Sequence, residues 1–279
     1  MGQRKHGQEL MKSGARLQER DYELLGALEV WGVLGLGQID GLVFHKGVSD
    51  AEKCRRFFNE YGDELYRLSG YKRLSDLKKS GYVEAHFYHG YPMVFTLASK
   101  GHAALKAVKR ARLPGFRRTV SAHLIEHEVM VNAAGLVLSE VLGLSVRTIR
   151  QRTAWSSHGG WSHTAARSKV PDLWIAEDEP KAVEVELNQK SMLLYPDIWE
   201  AYRERLPRGG AVLYLTDWPS GPAFVARQAG RLGMSFIYAC DLREFGSGLG
   251  LAPFINCDGE SLRLARRASD LTLNIGGAA

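Results

Sequence analysis

The order of apolar segments after residue 120 constrains the fold more than any other feature of this sequence. A long amphipathic helix is predicted in SAHLIEHEVMVNAAGLVLSEVLGL, which begins at Ser121, and a strand in SVRTIRQRTAW. Two short strands follow, PDLWIA and KAVEVEL, separated by the acidic turn EDEP. Helices then alternate with the apolar strands GAVLYLT and MSFIYAC. This order predicts an α/β or α+β domain built on a mixed sheet.

The first part of the chain has a different pattern, in which helices precede a hairpin. Apolar residues repeat at helical spacing from Glu19, and Ser49 followed by Glu52 is typical of the start of a second helix. Gly81 ends the basic helix YKRLSDLKKS, and YVEAHFY and MVFTL form a hairpin around HGYP. This order resembles the winged helix-turn-helix, whose recognition helix enters the major groove of DNA.

Positive charge is concentrated in the same part of the chain. Residues 1–120 contain 21 Lys and Arg against 13 Asp and Glu, a net charge of +8, whereas residues 121–279 carry −2. The excess favours double-stranded DNA as a partner, although a solvated surface or a protein-binding winged helix fits it too. The residues of the recognition helix and wing predicted to contact DNA are Lys72, Arg73, Lys78, Lys79, His86 and His89.

These patterns divide the chain into five segments. They are a basic arm at 1–18, a winged-helix domain at 19–105, a linker at 106–120, a mixed-sheet domain at 121–245 and a Gly-rich tail at 246–279. No apolar run approaches the roughly 18 residues of a membrane helix, so no membrane contact is expected. The polar first residues and three widely spaced cysteines predict a cytoplasmic protein without a disulfide framework.

The strands PDLWIA and KAVEVEL carry three carboxylates in a pattern that favours a metal ion. Glu184 and Glu186 are two residues apart, so their side chains point to one face, and an antiparallel neighbour would bring Asp172 close. Carboxylates this close repel one another, and the repulsion is relieved only by a cation between them or by a raised pKa. Oxygen ligands suit Mg²⁺ or Mn²⁺. Lys190 would then contact a phosphate or the attacking water. An exposed edge strand explains the same alternation without any function.

The pair PD at 171–172 and the triplet EVE at 184–186 resemble the PD-(D/E)xK motif of the restriction-endonuclease-like fold. Glu186 stands where that motif has a lysine, and Lys190, four residues later, would return the charge. The resemblance implies a nuclease domain with Asp172, Glu184, Glu186 and Lys190 as catalytic residues, the first three of them as metal ligands.

The restriction-endonuclease-like family also places an acidic residue on a helix before its first strand. Glu126 or Glu128 occupies that position, with His123 or His127 as a phosphate or water contact. Together with a winged helix, these motifs are similar to the MobC-type plasmid mobilisation relaxases and the replication-relaxation family. The resemblance implies metal-dependent nicking at a plasmid or mobile-element origin, with conjugation or replication proteins as partners. The alternative is a non-catalytic DNA-binding regulator or accessory protein with an inactive nuclease-like domain.

Two further patterns suggest other chemistry. His123 and His127 share a helix face in HLIEH, which fits an inverted zinc-protease motif, but nothing else in the chain resembles a protease. Tyr195 and Tyr202 follow the acidic strand and are either nucleophiles or surface residues. The DNA target, the number of strands cut, a covalent intermediate and the oligomeric state stay open.

Overall fold

The computed structural model describes residues 16–58, 70–88, 91–109, 124–149, 151 and 170–265. These residues form a mixed α and β structure with one three-stranded and one seven-stranded sheet. No helix in these ranges is long and apolar enough to cross a bilayer.

The front half, up to residue 109, combines helices with the smaller sheet. Its elements are α1 (Glu19–Trp31), β1 (Val33–Gly35), α2 (Leu36–Ile39, continued by a π-helical turn Asp40–Phe44), α3 (Asp50–Phe57), α4 (Gly70–Lys79), β2 (Val83–Tyr88), β3 (Tyr91–Leu97) and α5 (Ser99–Lys109). The strands are antiparallel in the order β1-β3-β2. The hairpin predicted from the sequence is therefore confirmed, and β1 adds a third strand to it.

Local chemistry explains the ends of two of these helices. The Ser49 hydroxyl accepts a hydrogen bond from the Glu52 amide at 3.3 Å, so α3 begins where the cap was predicted. Gly81 ends α4 with a φ of +76°, a conformation that costs other residues more than glycine. Leu74 and Leu77 are fully buried, which directs the opposite face of α4 toward solvent.

The rear half carries the larger sheet. Its elements are α6 (Ile125–Leu136, continued by a π-helical turn Val137–Val141), β4 (Val146–Thr148), β5 (Leu173–Ile175), β6 (Lys181–Glu186), α7 (Tyr195–Arg205, preceded by a 3₁₀ turn Met192–Leu194), β7 (Ala211–Thr216), α8 (Gly221–Arg231), β8 (Ile237–Asp241), α9 (Leu242–Ser247), β9 (Phe254–Ile255) and β10 (Ser261–Leu262). The strand order is β10-β9-β8-β7-β6-β5-β4. Strands β4, β5 and β6 are antiparallel, and β6, β7 and β8 are parallel, so the predicted mixed sheet is confirmed.

Two segment boundaries differ from the sequence-based prediction. The boundary at 245 falls inside α9, and β9 and β10 extend the sheet into residues predicted to be a tail without a pattern. Each of these strands has two residues, which is too short for alternation to be visible in the sequence. Helix α5 runs four residues into the predicted linker, whose remaining residues lie outside the described ranges.

The two halves are joined by a common core and by buried hydrogen bonds. The Gln38 side-chain amide donates to the Val129 carbonyl at 2.9 Å, and the Asn132 amide donates to the Trp31 carbonyl at 3.1 Å. One continuous apolar cluster contains residues of both halves. Because these buried side chains bond to carbonyl groups across the junction, the halves pack as one unit.

Candidate functional site

Two glutamates of strand β6 are buried against helix α7. Glu184 and Glu186 are 0% and 2% exposed, on the sheet face that α7 covers. The Tyr202 hydroxyl donates a short hydrogen bond to Glu184, and the Tyr195 hydroxyl donates to Glu186 at 2.8 Å. The two tyrosines are two helical turns apart, so they align with two glutamates of the same strand. That spacing is the sequence signal that relates these tyrosines to the glutamates.

The phenol groups of these tyrosines act as hydrogen-bond donors. Burial raises the pKa of Tyr202 well above its usual value, and the nearby Glu184 raises it further. Burial also raises the pKa of Tyr195, with Glu186 adding to the effect. Protonated phenols suit donation to a carboxylate and are poor nucleophiles, which favours a positioning role over covalent chemistry.

Lys190 lies next to the acidic strand, as the sequence predicts. Its ammonium group forms a short ion pair with Glu186, and its side chain is 34% exposed. Glu186 therefore has one donor on its buried side, Tyr195, and one on its solvent side, Lys190. The lysine is the member of this pair that a ligand in solvent can reach.

Asp172 lies immediately before the first residue of β5, beside β6. Its carboxylate accepts a hydrogen bond from the Val185 amide at 2.9 Å. The His127 ring nitrogen Nε2 donates to the Val185 carbonyl at 2.9 Å and lies 3.4 Å from Asp172. The hydrogen bond to Asp172 raises the pKa of His127 above its usual value, against the opposing effect of burial. The two side chains thus satisfy backbone groups of β6 that no strand pairs on this side.

A cleft of about 240 Å³ connects most of the predicted catalytic residues. Glu126, His127, Glu186 and Lys190 line it. A neighbouring cavity of about 350 Å³, at the junction of the two halves, shares His127 and reaches Asp172. The structure therefore brings these five residues to one region. Glu184 is buried next to Tyr202 of α7 and does not line the cleft. His123, predicted as an alternative contact, lies outside the described residues.

The three carboxylates predicted to bind a metal ion are engaged by other groups of the protein. Each of the three predicted ligands accepts a hydrogen bond from a protein donor. Within the ranges that the structure describes, no group of three or more His, Cys, Asp or Glu side chains is arranged to hold a metal ion. An ion shared by Asp172, Glu184 and Glu186 therefore stays a prediction.

Some of the residues predicted to contact DNA are exposed to solvent, whereas others form hydrogen bonds within the protein. Lys72, Lys78 and Lys79 are exposed on α4. Arg73 instead donates to the buried Asp21 of α1 at 2.8 Å. Burial alone would raise the pKa of Asp21, but the hydrogen bond from Arg73 and other favourable contacts lower it. This buried pair fixes α4 against α1.

The two histidines that were predicted to contact DNA belong to the wing predicted from the sequence. His86 contacts the Thr96 hydroxyl at 2.8 Å, and burial lowers its pKa. A neutral imidazole at this position contributes no charge toward a phosphate at neutral pH. His89 lies outside the described residues.

Comparison with known proteins found no matching family model, no matching curated protein and no matching solved structure, so the functional argument depends on the residues themselves.

Proposed function

We propose that this chain binds double-stranded DNA through helix α4 and the β2–β3 hairpin. The observation that carries the proposal is that Lys72, Lys78 and Lys79 are exposed on a helix whose other face is fully buried and which leads directly into the hairpin. A helix followed by an antiparallel hairpin is the order of a winged helix. The net charge of +8 in residues 1–120 supports a polyanionic partner.

The internal contacts of α4 support a docking role for this helix. Arg73 pairs with Asp21, which is 2% exposed, so the helix is anchored by a contact that solvent screens poorly. A rigid helix presents its lysines in a fixed arrangement, which lowers the entropy cost of binding. The resemblance to mobilisation and replication-relaxation proteins makes a plasmid or mobile-element origin the proposed target.

A duplex-binding measurement tests this function. Fluorescence anisotropy is recorded with duplexes that the full chain selects from a random pool, at one fixed salt concentration. Lys78→Ala combined with Lys79→Ala is expected to weaken binding about tenfold, since each lost phosphate contact removes counterion release. Arg227→Ala combined with Arg231→Ala removes two exposed charges from α8 and is the matched control. Equal affinity of the α4 variant and the parent contradicts the proposal.

Metal-dependent nicking is a second candidate function of the same protein. The observation that favours it is the cleft lined by Glu126, His127, Glu186 and Lys190 beside Asp172. These groups can contact a phosphodiester: Lys190 carries a positive charge that solvent reaches, and His127 has a raised pKa that favours its protonated form. A bound Mg²⁺ or Mn²⁺ would supply the activated water.

A plasmid-relaxation assay separates a nickase from a non-catalytic DNA-binding protein. Supercoiled plasmid carrying the selected sequence is incubated with Mg²⁺ or Mn²⁺ and with the parent chain, Asp172→Asn or Glu186→Gln. A nickase converts the plasmid to open circles in the parent reaction alone. Absence of open circles in every reaction, with duplex binding intact, rejects nicking and supports the regulator or accessory protein.

A further inference from the structure

Phe87 is an exposed aromatic side chain on β2, next to the basic helix. Its side chain is 65% exposed. Single apolar side chains on a surface are ordinary, so exposure alone carries no argument. Two further observations distinguish this position.

The hairpin is irregular at Phe87. His86 pairs with Val94, whereas Tyr88 pairs with Tyr91, so Phe87 faces two residues of β3 instead of one. Pro92 is one of those two, and it has no amide hydrogen to donate to the ladder. Such bulges bend a strand and change the direction of a side chain, and they occur frequently beside binding sites.

Phe87 is also joined to the basic surface of α4. The Lys78 ammonium lies 5.4 Å from the centroid of the Phe87 ring, which is within the range of a cation–π contact. Lys79 is exposed beside it in the chain. An aromatic ring and cations on one exposed surface match a ligand that presents phosphates next to flat apolar groups, which is the chemistry of duplex DNA.

We propose that Phe87 inserts as an apolar wedge between two base pairs of the bound duplex, from the minor groove. This inference rests on the proposed DNA binding and specifies the contact that the hairpin makes with the duplex. Phenylalanine side chains inserted at a base step unstack it and bend the helix axis. Lys78, which contacts the ring in the free protein, neutralises a phosphate that flanks the step.

The test measures base unstacking directly. 2-Aminopurine, whose emission rises when it is unstacked, is placed at successive positions of a duplex that the full chain selects from a random pool. The parent chain is expected to raise the emission at one step. Phe87→Ala is expected to remove that rise and weaken binding about tenfold, the scale of one lost base–aromatic stack. Phe87→Leu retains part of both effects, because leucine also serves as a wedge.

The controls keep this inference distinct from DNA binding itself. Leu251→Ala truncates a 43% exposed apolar residue of the rear half and is expected to change neither quantity. If Phe87→Ala binds as tightly as the parent and gives the same emission, the wedge is rejected and DNA binding stands. If no position responds to the parent chain, the ring does not insert and the wedge is rejected. If the pool yields no duplex at all, both proposals fall.

Discussion

Tyr202→Phe removes a single hydroxyl group from the buried contact between α7 and β6. That hydroxyl donates to Glu184, and solvent does not reach this glutamate because it is 0% exposed. Losing a hydrogen bond to a buried carboxyl group costs about 2 kcal/mol of unfolding free energy. For a chain of this size, that loss lowers the melting temperature by roughly 4 °C.

Tyr195→Phe provides a matched comparison at the neighbouring glutamate. Glu186 keeps its ion pair with Lys190 when the tyrosine hydroxyl is removed, so the expected loss is about 1 kcal/mol. Urea unfolding followed by circular dichroism gives both free energies from the same two-state fit. A loss of less than about 0.5 kcal/mol for Tyr202→Phe, the range of ordinary surface substitutions, refutes the importance of this hydrogen bond. If Tyr195→Phe lowers the free energy of unfolding more than Tyr202→Phe does, the expected order of the two hydrogen bonds is wrong.

Two further predictions concern charged pairs. Arg73→Ala leaves Asp21 buried without its guanidinium partner and is expected to lower the free energy of unfolding by about 2 kcal/mol. Lys72→Ala, on the exposed face of α4, is expected to change stability little. Equal effects of the two substitutions in urea unfolding would contradict this prediction. His127 has a raised folded-state pKa, so its contribution is fully present below the unfolded pKa of about 6.5 and is lost as pH rises through the folded value. His127→Gln should therefore flatten the decline in unfolding free energy above neutral pH, and an unchanged profile would contradict the contact with Asp172.

Local sequence patterns predicted the elements whose structure depends on near neighbours. The alternation of KAVEVEL places Val183 and Val185 on one face, and the Ser49 cap and Gly81 mark helix ends because their chemistry acts within a few residues. The antiparallel pairing of β5 with β6, which the metal-site hypothesis assumed, is present. These predictions required no information about distant parts of the chain.

Contacts between distant residues could not be predicted in this way. Arg73 and Asp21 are 52 positions apart, and Gln38 and Val129 are 91 positions apart, so no periodicity relates them. The sequence patterns therefore assigned Arg73 to a DNA surface and divided the chain into two domains joined by a linker. Asp172 was expected to approach the glutamates, but its carboxylate instead accepts a hydrogen bond from the backbone of β6 just before β5 begins.

The salt dependence of duplex binding tests the central claim most directly. If Lys72, Lys78 and Lys79 each neutralise one phosphate, the slope of the logarithm of the binding constant against the logarithm of salt concentration is steep and negative. Replacing all three by alanine is expected to reduce the magnitude of this slope by about 3, because each contact contributes roughly 0.9. The Arg227→Ala and Arg231→Ala variant retains the parent slope. An unchanged slope for the triple variant, or an equal decrease in the α8 control, would contradict DNA binding through α4.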